Sequence, residues 1–463
     1  MNKSYKKLIN NSLLFTVGNI GSKLMTFIML PLYTYKLSTS EFGTTDLVQT
    51  TITLLLPIVY LSIFDAVLRY GLESALDNTI VISNGFFITI CASLFNILLL
   101  FLLIMMNVSY ASYIIIILIL QGFQSLFSQY AKAIDKIKTF AFNGILLSFL
   151  TAIFNIVFLV YMNYGIDGFF LSIILSNLVS NIFLFFNTNL KKRIDLKKVK
   201  KSEMIKLLKY SVPLIPNSIA WWLTTAVSRY FILFFLGVTA NGLFAVANKI
   251  PAFLTIINSI FYQSWQLSAI EEYENKENKE FFSKVYGVYS TFIFLSCSFI
   301  LVFVKPIIRI LINENFFDSW KYVPFLLLTI VYSSLAGFLG QTYIAAKQTN
   351  QLFSTTIIGS LINLIMCVML LPTIGLQGAG LASSISFFSV WIYRHFNSRK
   401  YVYFKIKNST LILNNIMLLI QIILLVYFND TYYFLVQALC FSFILIINYK
   451  FFESFKVILT KNV

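Results

Sequence analysis

Six ionisable side chains interrupt stretches built otherwise from apolar residues: Lys23, Asp46, Asp65, Arg69, Arg229 and Lys249. Four are cations and two are acids, an excess that favours an anionic ligand. Lysine offers phosphate or diphosphate oxygens a compact charge, and arginine offers a planar fork of donors. Their polar neighbours fall in helical register. Ser12, Thr16, Asn19, Lys23 and Thr26 recur at intervals of four, three, four and three, which puts them on one helix face. Ser218, Trp222, Thr225 and Arg229 do the same, and Asn248 and Lys249 stand just before Pro251. The candidate binding set is therefore Lys23, Arg229, Lys249, Arg69, Asn19, Thr225 and Asn248, with Asp46 and Asp65 as the acids able to couple a proton or cation. Plainer readings stand beside these. Asp65 and Arg69 are four residues apart and can satisfy each other at a helix end. Asp46 can be a solvated or capping residue, and the stems of Lys23 and Lys249 can snorkel. The first polar stripe can be a packing face between helices.

Other chemistry is excluded by what is missing from the sequence. There is no nucleophile–base constellation and no phosphate-binding glycine loop. The single histidine, His395, adjoins Arg394 at the end of an apolar run and reads as interfacial, without the partners a metal needs. Cys91, Cys297, Cys367 and Cys440 lie inside apolar runs and read as small buried hydrophobes. No metal and no cofactor is expected.

The elements that must position the six charges are membrane helices. Of 463 residues, 58% are hydrophobic and 11% charged, against roughly a quarter charged in soluble domains. From Asn78 to Ala131 there is no charged residue at all. As a single helix that stretch would be about 80 Å long, and the hydrocarbon core is about 30 Å thick, so it must be two spans. The same argument splits Thr139–Leu190 at Asn163–Asp167. Extended along the chain, it gives an all-α polytopic membrane protein with fourteen spans, near 9–35, 42–70, 80–106, 112–130, 139–162, 168–188, 210–236, 242–266, 285–304, 322–343, 351–371, 377–393, 410–428 and 432–449. The basic start is followed by a run too long for a leader and lacking a small-residue cleavage pattern, so no cleavable leader is expected.

Loop charge sets the orientation. With the N-terminus in the cytoplasm, inside segments hold 27 Lys and Arg and outside segments hold 4. That asymmetry puts both termini in the cytoplasm. It also directs the net charge of +17 to anionic headgroups rather than to nucleic acid. The halves echo each other. Leu37–Gly43 has a counterpart in Leu236–Gly242, 199 residues on, and Gly165–Gly168 in Gly375–Gly378, 210 on. The expected organisation is a six-helix lobe over 1–189, a basic cytoplasmic linker over 190–209, a second six-helix lobe over 210–400, and an extra helix pair with a cytoplasmic tail over 401–463. Pro57, Pro213, Pro216 and Pro251 sit in the leading helices of each half, where they would soften them.

These residues resemble a family. Asn19-Ile20-Gly21-Ser22-Lys23, Pro31-Leu32-Tyr33-Thr34-Tyr35, Leu37–Gly43, Arg69-Tyr70-Gly71, both Gly-x-x-Gly turns and Pro213 with Pro216 are similar to the Wzx-type polysaccharide transporters, the lipid-linked oligosaccharide flippases. The likeness extends to about the twelfth span. It implies two lobes facing a central cavity, as in the multidrug, oligosaccharidyl-lipid and polysaccharide exporter superfamily. It implies movement of a polyprenyl-diphosphate-linked glycan, such as an O-antigen or capsule repeat unit, across a bacterial cytoplasmic membrane. Carried over, the diphosphate-binding cations are Lys23, Arg69, Arg229 and Lys249. A polysaccharide polymerase and export machinery are the protein partners it implies. Fourteen spans, where many Wzx-type members have twelve, point also to the lipid II flippases. A multidrug exporter of the superfamily is the alternative, but it would want buried carboxylates where the spans show an excess of cations; a membrane glycosyltransferase or polymerase would want sizeable outer loops, and those here are short.

Overall fold

The computed structural model describes residues 25, 27–72, 77–275, 281–346, 348–402, 408–427 and 432–449. Among them all regular structure is helical. Lipid forces this choice, because backbone groups there have only intrachain partners. Ten helices are long and apolar enough to cross a membrane, or eleven if the broken pair Lys201–Thr225 and Ser228–Leu236 is one span. Gln377–Asn397 and the fifteen-residue Tyr433–Ile447 are also helical but fall short of that measure. Most of the predicted first span lies outside the described residues. The chain divides into two compact units, Met1–Ala226 and Val227–Val463.

In the first unit the predicted second span is two helices, Thr39–Val59 and Ile63–Gly71. The first begins on a capping box: Ser38 accepts from the Glu41 N–H, and Glu41 returns the bond to the Ser38 N–H. It ends because Pro57 removes one helical donor, and Leu61 and Ser62 then take left-handed backbone angles of +52° and +48°. The Ser62 N–H folds back to the Pro57 carbonyl at 2.9 Å. The turn drives Tyr60 into the bundle, where its hydroxyl meets Ser93 Oγ at 3.3 Å and receives the Asn96 amide at 3.4 Å. The ring lies against Gly122, where a Cβ would come within 2.4 Å of Tyr60 Cζ. Asn78–Met105, Ala111–Ala133, Ile137–Tyr161 and Gly165–Asn187 complete the bundle.

In the second unit Val323–Ala345 is the central helix, with 78% of its best window buried. It packs against Val238–Asn275, Phe281–Leu311 and Gln377–Asn397. An aromatic stack fills the join: Phe338 lies 4.3 Å from Trp265 and Tyr289 lies 4.2 Å from Phe261, centroid to centroid. Asn408–Tyr427 and Tyr433–Ile447 are clamped to Phe281–Leu311 by buried amides. Ser298 Oγ donates to Gln421 Oε1 at 2.6 Å, Thr291 Oγ1 to Asn448 Oδ1 at 3.0 Å, and Asn448 exchanges amide bonds with Asn414.

The Gly-x-x-Gly turns share a positive φ at the first glycine. Gly165 and Gly375 take φ of +54° and +64°. Gly168 and Gly378 then bring the next helix onto the backbone of the preceding one, near Phe158 and Leu370. Two expectations are corrected. His395 is buried, at 5% exposure, with its Nε2 2.8 Å from an Arg399 Nη2. Cys91 is exposed, because it lies on the outer face of its helix; the other three thiols are buried.

Candidate functional site

Lys23 and Asn19 lie outside the described residues. In the first unit Asp65 opens the short helix Ile63–Gly71 and Arg69 ends it, both exposed. Lys132 of the neighbouring Ala111–Ala133 is near enough to act electrostatically on the Asp65 carboxyl. Asp46 is half-buried on Thr39–Val59. Thr225 ends its helix exposed, with its hydroxyl turned back to the Trp221 carbonyl at 2.9 Å. In the second unit Arg229 lies in the first turn of Ser228–Leu236 and is half-buried. Asn248 and Lys249 are half-buried on Val238–Asn275, and the Asn248 amide donates to the Phe244 carbonyl at 2.8 Å.

Among the described residues, neutral polar side chains of the first unit converge on one cavity. A cavity of about 290 Å³ opens among five helical segments. Thr39–Val59 contributes Gln49; Ala111–Ala133 contributes Gln121, Gln124 and Ser125; Ile137–Asn155 contributes Ser148 and Thr151; Gly165–Asn187 contributes Asn177. Met25, Met29 and Tyr33 line the remaining side. Asn155 holds the Tyr33 hydroxyl at 3.2 Å and the Thr151 carbonyl at 2.7 Å. Thr151 Oγ1 donates to Ser176 Oγ at 2.9 Å, and Gln124 to Ser128 Oγ at 3.2 Å. Gln49 and Gln121 make no side-chain hydrogen bond to another described residue. Weighing charges alone misses this site. Its signal is a run of amides and hydroxyls at helical spacing in otherwise apolar helices, Gln121-Gln124-Ser125-Ser128 above all.

The basic segment after Gly165–Asn187 is docked onto the first unit. Asn84 donates to the Lys198 carbonyl at 3.3 Å and accepts from the Lys200 N–H at 3.1 Å, while Ser83 accepts the Asp195 N–H at 2.9 Å. Lys198 pairs with Asp77 at 2.8 Å. The Lys198 ammonium and the Thr79 hydroxyl and N–H hold the Asp77 carboxyl well below the usual carboxylate range. A depressed folded-state value gives stability that is present above the unfolded value and lost only as pH falls through the folded one. Backbone amides near Lys198 should therefore keep their hydrogen-exchange protection from pH 7 down to pH 5, after correction for intrinsic rates. Asp77→Asn should lower that protection at every pH. Equal protection in the variant would show that the Asn84 and Ser83 bonds suffice alone.

Residues 8–270 match the model of the family described as polysaccharide biosynthesis protein. The chain belongs to that family. Protein 1 of the Lsg locus of Haemophilus influenzae is 26% identical over 322 residues, covering 67% of this chain and 75% of its own. The fold is shared with solved transporters. The lipid II flippase MurJ, in an inward closed conformation, superposes with a TM-score of 0.67 at 16% identity, over 96% of this chain and 100% of MurJ. An inward-facing multidrug resistance MATE family transporter of the MOP superfamily gives 0.67 at 13% identity, over 83% and 94%. A MOP superfamily transporter from Pyrococcus furiosus, described as having a binding pocket of reverse polarity, gives 0.60 at 13%, over 85% and 95%. The agreement supports the Wzx-type resemblance of the opening helices. This polysaccharide biosynthesis protein is thus a multi-pass membrane protein with the fold of those transporters.

Proposed function

We propose that the protein is a flippase carrying a polyprenyl-diphosphate-linked oligosaccharide, the repeat unit of a surface polysaccharide, across a bacterial cytoplasmic membrane by alternating access. The observation that carries this reading is the family match over residues 8–270, which names polysaccharide biosynthesis, on a chain whose fold is that of a lipid flippase. The cation excess supports it. Lys23, Arg69, Arg229 and Lys249 suit a diphosphate, with Asn19, Thr225 and Asn248 as neutral donors beside them. A cationic drug would find few carboxylates. Asp46 and Asp65 are the acids that coupling would use. The reading keeps both termini cytoplasmic, fourteen spans in two six-helix lobes plus an extra pair, and a polymerase downstream.

The test is glycan export from cells that lack their own exporter. Arg229→Ala and Lys249→Ala should each cut export at least tenfold while the amount of protein in the membrane stays constant. A hydrogen bond to a charged group is worth about 1.5–3 kcal/mol, which is roughly tenfold or more. Wild-type export by both variants would sink the cation assignment.

A further inference from the structure

We propose that the uncharged cavity of the first unit is a sugar subsite that sets which glycan is carried. This rests on the flippase reading and adds a second recognition element to it. Polar side chains at mid-depth in a membrane helix are costly, and in transporters substrate sites lie near the bilayer midplane. Gln49, Gln121, Ser148, Thr151 and Asn177 all fall near the middle of their helices and converge on one cavity. A stripe kept only for packing would bury its amides against neighbours. Here Gln49 and Gln121 have no hydrogen bond to another described residue, so two amide carbonyls and two amino groups of the lining are left unspent by the described residues.

The chemistry of the lining decides the ligand. Among the described residues no charged side chain lines it, so they give a diphosphate no cation to bind and a metal ion no carboxylate. Side-chain amides carry a donor and an acceptor side by side, which is the pattern that neighbouring sugar hydroxyls present. Methionine and tyrosine on the remaining side offer apolar surface to the C–H face of a ring. At about 290 Å³ the cavity sits at the low end for small-molecule pockets, which suits a single ring rather than a chain. The cations would then fix the diphosphate common to all such lipids, and the amides would read one sugar.

The experiment compares export by wild type, Gln121→Leu and Gln124→Leu of a panel of lipid-linked glycans that differ only in the sugar attached to the diphosphate. The expected result is a change of preference: the leucine variants lose at least tenfold on the glycan the wild type carries best and less on others. If a leucine variant fails to reach the membrane, Gln121→Asn and Gln124→Asn retract the amide and are read the same way. Equal loss on every glycan, or no loss on any, overturns the sugar subsite while the flippase reading stands. No glycan export by the wild type overturns both.

Discussion

Gly378→Ala should leave little folded protein in the membrane. Gly375 turns the chain at φ +64°, and Gly378 lies in the first turn of the helix that follows. A Cβ on Gly378 would stand 2.6 Å from both the carbon and the oxygen of the Leu370 carbonyl and 3.0 Å from the Leu371 nitrogen. These are backbone atoms of Thr349–Ile374, so no rotamer change relieves the contact, and one helix must move off the other. Gln377–Asn397 is packed along both Thr349–Ile374 and Val323–Ala345, so the shift spreads through the second unit. Overpacking by a methyl group costs about 1–3 kcal/mol where side chains can yield, and more is expected where they cannot. Two other glycines calibrate the result. Gly375→Ala meets nothing within 4 Å but must hold φ +64° with ψ −146°, a backbone conformation nearly confined to glycine, at a cost of about 1–3 kcal/mol. Gly287→Ala, exposed in the helix Phe281–Leu311 with open space around it, should stabilise by about 0.5–1 kcal/mol. Thermal midpoints in detergent should rank Gly287→Ala above wild type, then Gly375→Ala, then Gly378→Ala. A Gly378→Ala variant as stable as wild type would show that the two helices are not held at this spacing.

Arg394→Lys should lower the thermal midpoint by several degrees although it keeps the charge. Arg394 is 6% exposed, and its guanidinium ties three helices of the second unit together through neutral acceptors. Nε donates to Thr355 Oγ1 at 3.0 Å and Nη1 to the Ala336 carbonyl at 2.9 Å. Nη2 donates to Thr355 Oγ1 at 2.7 Å, Thr356 Oγ1 at 3.2 Å and the Leu352 carbonyl at 3.3 Å. Gly340 makes room for the group, since a Cβ there would sit 2.9 Å from Nη1. A lysine ammonium has no planar fork and cannot reach both Ala336 and the two threonines. Losing two bonds to a charged group costs on the order of 3 kcal/mol. Arg394→Met, which also removes the buried charge, should cost less than the lysine, because an ion deprived of partners is worse than none. The reverse order would mean that the ammonium finds the same acceptors.

Both residues lie in the second unit, which also carries Arg229, Lys249 and the clamped helix pair Asn408–Tyr427 and Tyr433–Ile447. The ladder from Thr291 and Ser298 to Asn448 and Gln421 is hard to peel apart in lipid, where a freed amide has no water to turn to.

How much of this was legible beforehand follows from the range of the forces involved. The membrane, the helices and most of their ends were readable along the chain. Lipid leaves backbone groups only intrachain partners, and a charge-free run of fixed length such as Asn78–Ala131 allows one solution. The paired glycine turns are local as well, and both stand where their spacing put them. The break at Leu61 and Ser62 was not legible. A proline four residues earlier permits it, but the buried slot that receives Tyr60 is made by Ser93, Asn96 and Gly122 on other helices. His395 reads as interfacial from its place beside Arg394 at the end of an apolar run, whereas its burial, at 5% exposure, is set by packing that the run does not display. The six charges drew attention first because a charge in lipid is conspicuous in one dimension. The amides of Gln49, Gln121, Gln124 and Asn177 are each unremarkable on their own helix. Only tertiary packing turns them toward a common cavity, because hydrogen bonding is short-ranged and the five segments that share it span most of the first unit.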